Sequence, residues 1–106
     1  MKKELPSCPA QITLSFIDNK WKMLIIVEML LEGTQRFSTF KKALPQISQK
    51  VLTQNLRSLE ASGLISRVVF AEVPPRVEYS LTELGLSLSP IIDAMIKWGI
   101  AYKEQV

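Results

Sequence analysis

The chain has 106 residues, 47% hydrophobic and 22% charged, which fits one folded domain and excludes a disordered tail. Thirteen Lys and Arg against ten Asp and Glu give a formal charge of +3, compatible with a polyanionic partner. With no histidine and one cysteine, the commonest general base, an internal disulfide and a multi-cysteine zinc site are all excluded, so neither a metal nor a cofactor is expected.

Residues 1–7 are short, charged and proline-containing, and are expected to form a flexible arm ahead of a single domain over residues 8–106. Pro9 suits the first position of a helix capped by Ser7 or Cys8, and Ile12, Phe16 and Ile17 follow at helical spacing. Asn19 is placed to cap a second helix, apolar nearly all round, that stops at Gly33. Its pattern predicts burial on more than one side. The apolar runs at 12–17 and 23–31 are too short to span a bilayer, so no membrane partner is expected, and the lone cysteine fits a cytoplasmic protein.

Arg36-Phe37 reads as a short extended piece and Ser38 as the cap of a brief helix that ends before Pro45. Ser48 then opens a helix with Leu52, Leu56 and Leu59 on one face, closed by Gly63. Two runs rich in Val, Tyr and Phe, 66–70 and 77–81, read as a hairpin with a proline-stiffened tip carrying Arg76. Thr82 caps a long terminal helical region, which Pro90 should kink or split. The predicted fold class is α+β, mainly α: a winged helix-turn-helix with a two-stranded β-hairpin wing and terminal dimerisation helices.

From Gly33 to Leu59 the chain carries Arg36, Lys41, Lys42, Lys50 and Arg57 and no acid. On the helix from Ser48, the residues Gln49, Lys50, Thr53, Gln54 and Arg57 fall on the face away from the leucines. Gln pairs bidentately with adenine and Lys reaches guanine, so Gln49, Lys50 and Gln54 are candidates for base contacts in a major groove. Ser38, Lys41, Lys42, Ser48, Thr53, Arg57 and Arg76 complete the DNA-binding candidates, as contacts to phosphate or neighbours of them. A solvated helix face has the same composition, and Arg76 could equally pair with Glu72 or Glu78. The coincidence of the acid-free stretch with a two-helix unit and a following hairpin favours DNA. A winged helix used only for docking another protein is the rival reading, and an enzyme with Cys8 as nucleophile has no histidine to serve as base.

The stretches CPAQITLSFIDNKWKMLIIVEML, RFSTFKKALPQISQKVLTQNLRSLEASGLISR and VPPRVEYSLTELGLSLSPIIDAMIKWG together resemble the HxlR-type regulators, relatives of the MarR class. The resemblance covers residues 8–99. It implies a bacterial homodimer that represses or activates transcription at a pseudo-palindromic operator in double-stranded DNA, with the helix from Ser48 in the major groove and the hairpin around residues 74–76 as wing. It also implies dimerisation through terminal helices, for which Ile12, Phe16, Ile91, Met95, Trp98 and Tyr102 are the candidates. Two departures stand out: Asp18-Asn19 replaces a common glycine pair, and Asn55 replaces a common arginine, removing one expected DNA contact. A cysteine beside proline at the place of Cys8 senses oxidants or electrophiles in many members, and the positive end of a helix stabilises a thiolate there. The alternative is a half-buried side chain that only packs. A small-molecule or oxidant effector is the corresponding partner, with Phe16, Trp21, Met95, Trp98 and Tyr102 lining a crevice or simply core.

Overall fold

The computed structural model describes residues 5–106; the first four residues of the expected arm lie outside the described residues, and residues 5–7 carry no helix or strand. Helix α1 (Pro9–Ile17) starts with Pro9 in its first turn and Cys8 at its N-cap. Helix α2 (Lys20–Glu32) is capped by Asn19, whose Oδ1 accepts from the Trp21 amide at 2.8 Å. It stops at Gly33, whose φ of 80° lies in the region that costs other residues strain.

Strand β1 (Gln35–Arg36) leads directly into α3 (Phe37–Ala43). The helix therefore begins one residue before the expected cap: Arg36 holds the N-cap position without a side-chain bond, and Ser38 lies inside the first turn. The cause is tertiary, because Phe37 packs on the core while Arg36 is still paired in the sheet. Ser48 caps α4 (Gln49–Ala61), its hydroxyl accepting from the Val51 amide at 3.1 Å. Strands β2 (Ile65–Phe70) and β3 (Arg76–Leu81) form the hairpin, joined by residues 71–75. Thr82 caps the single-turn α5 (Glu83–Leu86), and the chain breaks at Ser87-Leu88 before α6 (Ser89–Gln105), with Pro90 in the first turn of α6. Proline splits the terminal region because it is tolerated only at a helix start.

The strand order is β1-β3-β2, all antiparallel, so β1 adds a third strand by pairing Gln35 with Tyr79 and Arg36 with Glu78. The core is built by Ile25, Ile26 and Met29 of α2, Phe40 of α3, Leu52, Leu56 and Leu59 of α4, and Ile65 and Ile92 from either side. Ile47 in the turn between α3 and α4 is buried as well, which ties the two helices of that pair to the same core. Gln35 is buried too, donating from Nε2 to the Glu28 carbonyl at 3.1 Å and so fastening β1 to α2.

Candidate nucleic-acid interface

Helix α4 is two-faced because 100° per residue separates its leucines from its polar residues. Leu52, Asn55, Leu56 and Leu59 are buried. Ser48, Gln49, Lys50, Gln54 and Arg57 stand in solvent and Thr53 is half-buried. The α3–α4 turn sets the angle between the helices, and Lys41 secures it by donating from Nζ to the Ile47 carbonyl. Lys41, expected on phosphate, uses one of its three Nζ donors in this internal bond. Ser38 and Lys42 of α3 are exposed. Among the described residues, no carboxylate lies within 4.0 Å of Arg36, Lys42, Lys50 or Arg57, so their charge is not neutralised locally.

Two expectations need correction. Asn55 is only 6% exposed and donates from Nδ2 to the Val51 carbonyl at 2.8 Å. It falls at i+3 from Leu52, on the inward stripe, so the residue here removes no surface contact. Arg76 is not at the tip of the wing. It opens β3 opposite Phe70, lies 4.0 Å over that ring, and has its Nε 3.0 Å from Glu72 and 3.6 Å from Glu78 without hydrogen-bond geometry to either.

The cation that sequence reasoning missed is Arg67 in β2, whose Nε is 3.4 Å from Glu60 of α4. Ser66 to Val69 are all exposed, so β2 lacks the in-out alternation that would single out a functional side chain. Tyr79 lies across from Arg67 in β3, edge-on to Phe40 with ring centres 6.1 Å apart. Burial pushes its phenol above the ordinary value of 10.0; Arg67 and Arg57 oppose the shift and Glu60 adds to it.

Cys8 is exposed at the start of α1. Its carbonyl accepts from the amides of Gln11 and Ile12 while its side chain makes no cap bond. Of the expected interface residues, Ile12 and Phe16 are half-buried, and Phe16 packs on the core of its own chain. Ile91, Met95, Trp98 and Tyr102 are exposed along one row of α6, with Trp98 and Tyr102 stacked at 5.4 Å.

A helix pair whose second member offers a polar, cationic row to solvent, followed by a hairpin, is the winged helix-turn-helix of DNA-binding transcriptional regulators. The chain belongs to the HxlR-like helix-turn-helix family, whose profile matches residues 16–106. It is 50% identical over 99 residues to the uncharacterized HTH-type transcriptional regulator YkvN of Bacillus subtilis (strain 168), covering 93% of this chain and 83% of that protein. It is 45% identical over 103 residues to the uncharacterized HTH-type transcriptional regulator YdeP of the same organism, covering 97% of this chain and 80% of that protein. Among solved structures, the reduced form of the redox regulator HypR superposes with a TM-score of 0.86 at 44% identity, over 91% of this chain and 94% of that one. The family works by binding DNA, not by turnover.

Proposed function

We propose that two copies of this chain bind one face of a duplex, each placing the outer row of α4 in the major groove of a half-site. The observation that carries this reading is the solvent-facing set Gln49, Lys50, Gln54 and Arg57, opposite a fully buried leucine stripe. Gln49, Lys50 and Gln54 are assigned to base edges, and Ser48, Thr53, Arg57, Lys42 and Ser38 to the backbone alongside. Arg76 is left out of the contact set because two carboxylates already surround it.

The dimer is supported by surface arithmetic. The chain exposes 7698 Å², whereas a compact monomer of 12.0 kDa exposes about 6,000 Å². On α6, Ile92 is the sole buried residue. A shallow, open apolar surface formed by Pro90, Ile91, Ala94, Met95 and Trp98 runs along this helix. An 18-residue window within Glu83–Gln105 reaches a mean hydropathy of 1.3, apolar enough by composition for a membrane, but the segment is broken at Ser87-Leu88 and carries the exposed pair Asp93–Lys97 at 3.0 Å. A subunit interface in a cytoplasmic regulator accounts for that apolarity with the charged pair left in water. Paired recognition helices then sit about 34 Å apart and the operator is roughly palindromic.

Cys8 is the proposed point of redox or electrophile control, a reading supported by its exposure and by the similarity to a redox regulator. As the sole cysteine, it requires a small thiol or Cys8 of a second copy to form a disulfide.

Selection of bound duplexes from a random pool, followed by titration of the selected and a scrambled sequence, tests the DNA reading. Lys50→Ala and Gln54→Ala are expected to narrow the gap between the two sequences, while Lys42→Ala weakens both equally and flattens the salt dependence. Equal losses on both sequences for every variant would remove the proposed division of labour. Alkylation of Cys8 during the same titration should release DNA if the thiol is the control point and leave it bound otherwise.

A further inference from the structure

Between α4 and the wing lies a cleft of about 200 Å³, lined by Thr53, Leu56, Arg57 and Glu60 from the helix and by Arg67 and Tyr79 from the hairpin. Thr53, Arg57 and Glu60 fall at i, i+4 and i+7, so one edge of α4 faces the wing along its length. Arg67 and Tyr79 are cross-strand partners and project to the same side of the sheet. Two guanidinium groups and a hydroxyl thus converge on one space, with a single carboxylate among them.

We propose that this cleft seats one backbone phosphate of the bound duplex, held by Arg67 with Arg57 and the Tyr79 hydroxyl, and that Glu60 is the internal competitor Arg67 leaves to make the contact. The proposal rests on the reading of α4 as the helix in the major groove. With α4 in that groove and the wing at the adjacent minor groove, the sugar-phosphate strand dividing the grooves runs through the gap between the two elements. The chemistry fits the position. Guanidinium forks match phosphate oxygens bidentately, and the cleft volume is several times the ~30 Å³ of a water molecule. The Arg67–Glu60 pair is held at 3.4 Å with both side chains exposed by more than a third, a weak solvated arrangement that gives way to the dense negative charge of a duplex backbone.

The test is duplex binding by fluorescence anisotropy with the full chain, on the selected and scrambled sequences, over a series of chloride concentrations. Arg67→Gln is expected to weaken both duplexes alike, by roughly fivefold, and to make the salt slope shallower by about one. Glu60→Gln should act in the opposite direction, tightening both duplexes several-fold, and the double variant should match Arg67→Gln alone. Arg67→Lys keeps the charge without the fork and should restore the slope but only part of the affinity. Thermal melts check that each variant folds; should Arg67→Gln unfold, the Arg67→Lys and Glu60→Gln results decide. Wild-type affinity and slope in Arg67→Gln, or weaker binding in Glu60→Gln, overturn the proposal while leaving the role of α4 intact. If inorganic phosphate, exchanged for chloride at matched ionic strength, displaces duplex from the wild type but not from Arg67→Gln, and Arg67→Gln binds normally in chloride, the cleft belongs to free phosphate and the proposal falls. A wild type that binds neither duplex removes the reading of α4 and this inference with it.

Discussion

Asn55 and Gln54 are neighbours in sequence with opposite fates. Gln54 stands in solvent, while Asn55 is enclosed beside Leu52 and Leu56 with its amide bonded to the Val51 carbonyl. Asn55→Ala should therefore lower stability by about 1–2 kcal/mol, since it removes a buried bond and leaves a small void. Gln54→Ala should stay within about 0.5 kcal/mol of the wild type. Urea unfolding of the two variants measures both numbers, and a neutral Asn55→Ala would mean the side chain is not enclosed. Tyr79 gives a second handle. A phenol raised above 10.0 in the fold stays protonated where the unfolded chain has begun to lose its proton, so stability is unaffected below that pH and falls as pH rises through it toward the folded value. In Tyr79→Phe that alkaline loss should shrink, which melts at pH 9 and pH 11 would reveal as a smaller difference.

The helix starts were legible because capping is local chemistry: Pro9, Asn19, Ser48 and Thr82 announce their helices without reference to the rest of the fold. The start of α3 was not, because the end of β1 pairing and the packing of Phe37 decide it, and both depend on distant residues. For the same reason the third strand was invisible as a sheet partner. A two-residue strand bonded to Glu78 and Tyr79 leaves no periodic trace. On α4 the spacing held the answer for Asn55, and family likeness to an arginine drew attention away from it. The junction of α5 with the wing is tighter than its sequence suggests. A Cβ on Gly85 would meet the Leu64 carbonyl oxygen at 2.1 Å, and Thr82 closes the same joint by donating to the Gly63 carbonyl and accepting from the Gly85 amide. Gly85→Ala should cost about 2 kcal/mol through displaced backbone. Denaturation measures that loss, and an unchanged midpoint would contradict the close approach.

The protomer is elongated, 51 × 37 × 24 Å with a radius of gyration of 15.1 Å, where a compact chain of this length has about 13 Å. Two copies joined through α6 would cover the row of Ile91, Met95, Trp98 and Tyr102 that one copy leaves in water. Replacement of Trp98 by Glu places a charge in that interface. Sedimentation should then report a monomer, and a melting temperature that rises with concentration in the wild type should become independent of it. A Trp98→Glu dimer as tight as the wild type would move the interface elsewhere. In the proposed dimer, two copies of α4 are oriented toward one duplex. That orientation is open to a direct footprint: acetylation of lysines, read by mass spectrometry with and without the selected duplex. Lys42 and Lys50 should be protected by DNA while Lys97 and Lys103 react as before; unchanged reactivity at Lys42 and Lys50 in the bound complex would contradict the assignment of α4 to the groove.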